Sequence, residues 1–161
     1  MDLLAMLLLA PIMVAVAYFD LRFMRIPNSL SLITLGVVAF AVLLSPPADL
    51  WIRLAIAAVV FALGCVAFGF RLIGGGDVKI LSALMLAVPA DGIVVFANVF
   101  SAALITGIVV VLTVRRIPQS SRWGWKTFGG SQKFPMGLSI ALAGLAFPLV
   151  ALTLQGNGPA G

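Results

Sequence analysis

Gly74-Gly75-Gly76-Asp77-Val78-Lys79 delivers a single carboxylate between two apolar stretches, 50–70 before it and 78–88 after it. An ionisable group at membrane depth costs roughly 2.5–3.5 kcal/mol on insertion scales, which makes it a functional candidate by default. Consecutive glycines cost conformational entropy and are tolerated where the backbone needs φ > 0 or must approach another group closely. An acid delivered by such a run directs attention to a second carboxylate. Asp20, which directly follows the apolar stretch 3–19, is the candidate.

The surrounding composition fixes the class. Of 161 residues, 63% are hydrophobic and 9% charged, and the mean hydropathy is +1.23. So few charges cannot cover a soluble domain of this size, and the chain reads as a polytopic membrane protein. It has no His, and its five acids, Asp2, Asp20, Asp49, Asp77 and Asp91, include no Glu. Ser-His-Asp triads, Cys-His dyads, HExxH zinc sites and glutamate acid chemistry are thereby excluded. Cys65 is the one cysteine and sits in an apolar run, so no disulfide or cysteine zinc site can form within one chain, and it reads as a small packing residue. No cofactor, metal or nucleic acid is expected.

Hydropathy and breakers divide the chain into spans 3–19, 29–44, 50–70, 78–88, 93–114 and 135–154. Position 2 is an acid where a signal peptide would carry a positive n-region, so the first span reads as a retained helix. Pro27 interrupts helix before the second span, Ser45-Pro46-Pro47-Ala48-Asp49 turns the chain, and Pro135 suits a helix N1 position. The fourth span is short: eleven residues reach about 16 Å, half of a ~30 Å hydrocarbon core. Either Asp77 then lies below the membrane surface or the bilayer thins there. The loop between the fifth and sixth spans carries Arg115, Arg116, Arg122, Lys126 and Lys133 with Trp123 and Trp125, a composition that suits lipid headgroups. Residues 155–161 read as a frayed tail. With six spans every lysine and arginine except Arg53 falls on one side. The positive-inside rule makes that side cytoplasmic and puts both termini outside. The expectation is a single all-α membrane-embedded domain over residues 1–161, a bundle of about six transmembrane helices.

Asp20 and Asp77 are the two acids on the cytoplasmic side, each at a helix end. Two carboxylates brought face to face share a proton. The ionised member can deprotonate a water that attacks a peptide carbonyl. The protonated member can polarise that carbonyl and protonate the leaving amine. The glycines would admit a substrate backbone close to Asp77, and Lys79 would favour the ionised form of carboxylates near it.

The motifs themselves, Asp20 with Arg25-Ile26-Pro27-Asn28, then Gly74-x-Gly76-Asp77-x-Lys79, then Lys133-Phe134-Pro135-Met136-Gly137-Leu138-Ser139-Ile140-Ala141, resemble the type IV prepilin peptidase family in content and order. Those proteins are GxGD membrane aspartic proteases. The resemblance implies Asp20 and Asp77 as the catalytic pair, with Gly74, Gly76, Lys79, Pro27, Asn28, Pro135 and Gly137 shaping the site. It implies a prepilin-like precursor as partner: a short basic leader cut off at the cytoplasmic face, after a glycine and before an apolar helix. The expected location is a bacterial inner membrane, with lipid as the other partner and the oligomeric state open. Larger members carry a cytoplasmic domain between the first two spans and also methylate the new N-terminus. The connection 20–29 has no room for it, so the chain looks like the compact members associated with Flp-type, tight-adherence pili, and N-methyltransferase activity is not expected.

Blander readings stand beside these. Asp20 can be a helix-end acid paired with Arg22 or Arg25, of small energetic value. Asp77 can be a helix N-cap, the glycines a connector, and Pro135-Met136-Gly137 a plain helix start. Lys79 with Ser82 can be drawn as a Ser–Lys dyad. Two other functions remain open: a small proton-coupled transporter subunit, and a non-catalytic membrane scaffold of a pilus or secretion machine.

Overall fold

The computed structural model describes residues 3–117, 124–128 and 134–156. Among them are six α-helices and no strand: α1 (Leu3–Phe23), α2 (Asn28–Leu44), α3 (Leu50–Gly69), α4 (Gly75–Ala87), α5 (Ile93–Arg115) and α6 (Met136–Gly156), with a 3-10 turn at Ala90–Gly92 leading into α5. The all-α class follows from the hydropathy. Three helical stretches, Leu50–Gly69, Ala90–Arg115 and Met136–Leu154, are long and apolar enough to cross a membrane, and α2 is a shorter apolar helix. Asp2, Arg122, Trp123, Lys133 and the residues beyond Gly156, on which some expectations rested, lie outside the described residues.

The shortest helix is the central one. α4 packs against α2, α3 and α6, while α1 lies on α6 and α2, and α5 lies on α6. Eight of its 13 residues are buried. Ile80 and Leu84 of α4 meet Leu9, Met13 and Val16 of α1 and Ile140 and Phe147 of α6 in one apolar cluster. α3 and α4 approach closely. A Cβ on Gly64 would stand 2.6 Å from Val78 Cγ1, so only a glycine lets these helices meet so tightly, as small residues do in membrane bundles.

Two expectations about helix ends need correction. Gly75 and Gly76 form the first turn of α4, so the glycine run is not a connector and α4 begins three residues before Val78. Among the described residues the only glycine at positive φ is Gly124; the run meets its other condition, close approach. Likewise α1 continues past Phe19 to Phe23, which puts Asp20 on its last turn. That turn is closed by Met24 in the left-handed region (φ 51°), whose N–H donates to the Asp20 carbonyl at 2.8 Å. α3 ends the same way on Arg71 (φ 60°), with Leu72 N–H donating to the Ala67 carbonyl at 3.0 Å and Arg71 N–H to Phe68 at 2.9 Å. Cys65 is exposed on α3, so it is not the interior packing residue its apolar neighbours implied.

At the opposite end of the bundle Asp49 ties two turns together. Its Oδ1 accepts from Arg53 Nε at 2.7 Å and its Oδ2 from the Ala90 N–H at 2.8 Å. Partial burial works against the charge, but the Ala90 and Arg53 hydrogen bonds and the guanidinium charge outweigh it and hold the carboxyl below its ordinary range. Arg53 is buried at 5% exposure.

Candidate active site

Asp20 and Asp77 reach one another because α1 ends, and α4 begins, at the same end of the bundle. Both carboxylates line a single cavity of about 790 Å³ together with Phe19, Met24, Pro27, Asn28 and Lys79. Both also line a smaller cavity of about 290 Å³ whose other walls include Arg71, Phe134 and Met136. Each side chain is buried, at 5% exposure for Asp20 and 9% for Asp77.

Neither acid is neutralised by a cation among the described residues. Asp20 Oδ2 accepts the Leu138 N–H at 3.2 Å, and Asp77 Oδ2 accepts the Gly74 N–H at 3.1 Å. Asp77 Oδ1 is buried without a hydrogen-bond partner. The surface-pair reading of Asp20 fails, since Arg22 instead donates to the Tyr18 hydroxyl and Arg25 is exposed. The helix-cap reading of Asp77 holds in altered form. Asp77 is the third residue of α4 and reaches back to the N-cap amide of Gly74, while its second oxygen stays open.

The remaining sequence candidates fall into place around Ile26. A Cβ on Gly76 would meet Ile26 Cβ at 2.8 Å, and one on Gly137 would meet Ile26 Cδ1 at 2.9 Å and Asp20 Oδ2 at 2.8 Å. The two missing side chains thus admit one isoleucine, and the first turns of α4 and α6 close on the segment that links α1 to α2. Gly74 has the same need, because its Cβ would stand 2.6 Å from Asp77 Oδ2. Pro135 is fully buried, lines neither cavity and directly precedes α6 instead of occupying its first turn, so Pro135-Met136-Gly137 is a helix start in which Met136 lines the smaller cavity and Gly137 abuts Asp20. Pro27 caps α2 with extended backbone. Lys79 Nζ donates to Asn28 Oδ1 at 2.9 Å, away from both carboxylates. Ser82 Oγ donates to the Val78 carbonyl at 2.7 Å, so the Ser82 proton is not directed to Lys79 and no Ser–Lys dyad is formed.

Sequence reasoning missed Ile26, Met24 and the Leu138 amide as shapers of the site. Ile26 and Leu138 carried a signal in their places within the two proline-containing motifs, and Met24 carried none. Residues 124–128 of the basic loop fold back over the end of α1, with Lys126 N–H donating to the Arg22 carbonyl at 3.0 Å. Trp125 is half-buried with its ring against Tyr18 and Phe128, so it supports α1 as well as any lipid boundary.

Compared with known proteins, residues 7–112 match the type IV leader peptidase family. No curated protein and no solved structure matches the chain. The matched segment runs from α1 into α5 and holds both aspartates and the glycine run, while Pro135, Met136 and Gly137 lie beyond it. With more than half of its length matched, and as a peptidase in general, this chain belongs to the type IV leader peptidase family.

Proposed function

We propose that the protein is a membrane aspartic endopeptidase that removes the short basic leader from prepilin-like precursors, with Asp20 and Asp77 as its acid–base pair. The observation that carries this reading is the placement on one cavity of two buried carboxylates, neither with a cation partner among the described residues. One carboxylate takes a proton from water as the water oxygen attacks the scissile carbonyl carbon. The other donates a hydrogen bond to the carbonyl oxygen and then gives its proton to the departing amine, which breaks the C–N bond. The open Oδ1 of Asp77 supports that atom as a water-holding position. Gly74 and Gly137 leave the carboxylates uncrowded, Gly76 makes room for Ile26 beside them, Asn28, Pro27 and Lys79 shape the entrance, and Pro135 supports the site from behind the start of α6.

The charge pattern supports a six-span inner-membrane arrangement with both termini outside and the aspartates at the cytoplasmic face. It also supports Flp-type pilins as substrates, since the connection between α1 and α2 holds no additional domain.

The test is co-expression of a precursor (basic leader, glycine, apolar helix) with wild type, Asp20→Asn and Asp77→Asn. Loss of the leader-sized fragment in both variants, at normal protein levels, is the expected result. Cleavage at the wild-type rate by either variant overturns the dyad. Proton flux through reconstituted wild type without any cleavage would instead favour the transporter.

A further inference from the structure

A second cavity, of about 630 Å³, adjoins the first. α2 and α3 both pack on α4 and stand apart above it, leaving a groove with α4 as its floor. Leu32 and Leu35 form one wall, Ala58 and Phe61 the other, and Ser82 and Ala83 the floor. Asn28 and Lys79 line both cavities, so the groove begins where the aspartate cavity ends. From Lys79 to Leu86 it follows α4 for two helical turns, about 10 Å.

We propose that this groove seats the first two turns of the substrate's apolar helix, immediately beyond the scissile bond. This rests on the peptidase reading above and adds where the uncleaved remainder of the substrate lies. Three observations favour a helix over an acyl chain. The middle of the floor is the small pair Ser82 and Ala83, which lets a helix backbone approach closely. The Ser31 hydroxyl lines the groove at 7% exposure and has no hydrogen-bond partner, a cost that a peptide group can relieve and a hydrocarbon cannot. The groove also leads directly to the carboxylates, as the segment next to a scissile bond requires.

The test combines a groove-filling substitution with site-specific photocross-linking. Ala58→Trp should raise KM at least tenfold for a precursor carrying its apolar helix. The same variant should cut a peptide truncated four residues after the scissile bond as wild type does, which also reports that it is folded. A benzoylphenylalanine at Leu35 in otherwise unaltered protein should cross-link to the precursor within two turns of the cleavage point, and one at Ile105 on α5 should not. An unchanged KM for the full precursor, or Leu35 adducts to lipid alone, overturns the proposal. A precursor that is cut but never cross-links in the groove defeats this inference only. One that cross-links at Leu35 yet is not cut defeats the peptidase reading only.

Discussion

The two ends of the bundle treat their acids in opposite ways. At one end Asp49 has a guanidinium on one oxygen and a backbone amide on the other. At the other end Asp20 and Asp77 share a cavity, and each is held by backbone N–H groups with no cation among the described residues. The first arrangement uses a carboxylate to hold two turns together. The second leaves carboxylates uncompensated, which a folded protein tolerates where chemistry needs it. The contrast separates a structural acid from the candidate catalytic pair by partners and by burial alike, since the Asp49 side chain is 26% exposed and Asp20 and Asp77 are buried.

The largest expected effect is on activity at the second end. Asp20→Asn or Asp77→Asn should reduce leader cleavage by about 10²–10⁴-fold, the range for acid–base groups, with little change in thermal midpoint in detergent. A comparable loss of activity from Asp49→Asn would erase the contrast. Next, Gly137→Val should lower kcat by on the order of 10²-fold, since its Cβ would stand 2.8 Å from Asp20 Oδ2 and misplacement by about 1 Å costs that much. Wild-type kcat in this variant would show that Asp20 does not need its present position.

The structural acid should appear in stability instead. Asp49→Ala should cost about 1–3 kcal/mol by removing charge-assisted hydrogen bonds from a mostly buried arginine, without altering kcat on a short peptide. The pH dependence has a definite sign. The folded-state value of Asp49 lies below its ordinary 3.8, so its stabilisation is fully present above that value. It is lost as pH falls through the lower folded value. The stability gap between wild type and Asp49→Ala should therefore hold constant from neutral pH down to about 5 and close in stronger acid; a gap that closes near neutrality would break the assignment. Smallest is Arg71→Gly, which relieves a left-handed residue at φ 60°. It should stabilise by about 1 kcal/mol at most, read as a small rise in thermal midpoint.

The sequence made the all-helical class legible, because apolar runs broken by Pro and Gly leave few alternatives. It made the two aspartates legible by scarcity, as five acids in 161 residues are easily sorted. Helix ends were less legible. Gly75 and Gly76 are poor helix formers by propensity, yet they form the first turn of α4, where Ile26 occupies the space a Gly76 side chain would fill. Asp20 looked like a connection residue because polarity changes there, but the last turn of α1 continues to a left-handed Met24 that propensity does not favour. The partners of Lys79 and Arg22 were not legible at all. Those depend on which side chains converge across 51 residues for Lys79 and Asn28, or on local rotamers for Arg22 and Tyr18.

The brevity of α4 has an architectural consequence. Thirteen residues rise about 20 Å, some 10 Å less than a hydrocarbon core, and this helix stands in the middle of longer ones. A bundle built that way is dished at its centre. Water can then stand in a basin above the start of α4, in contact with both carboxylates, without any tunnel through the protein. On the proposed reading, a hydrophilic leader resting in such a basin would not have to enter oil, and the apolar segment behind it would not have to leave.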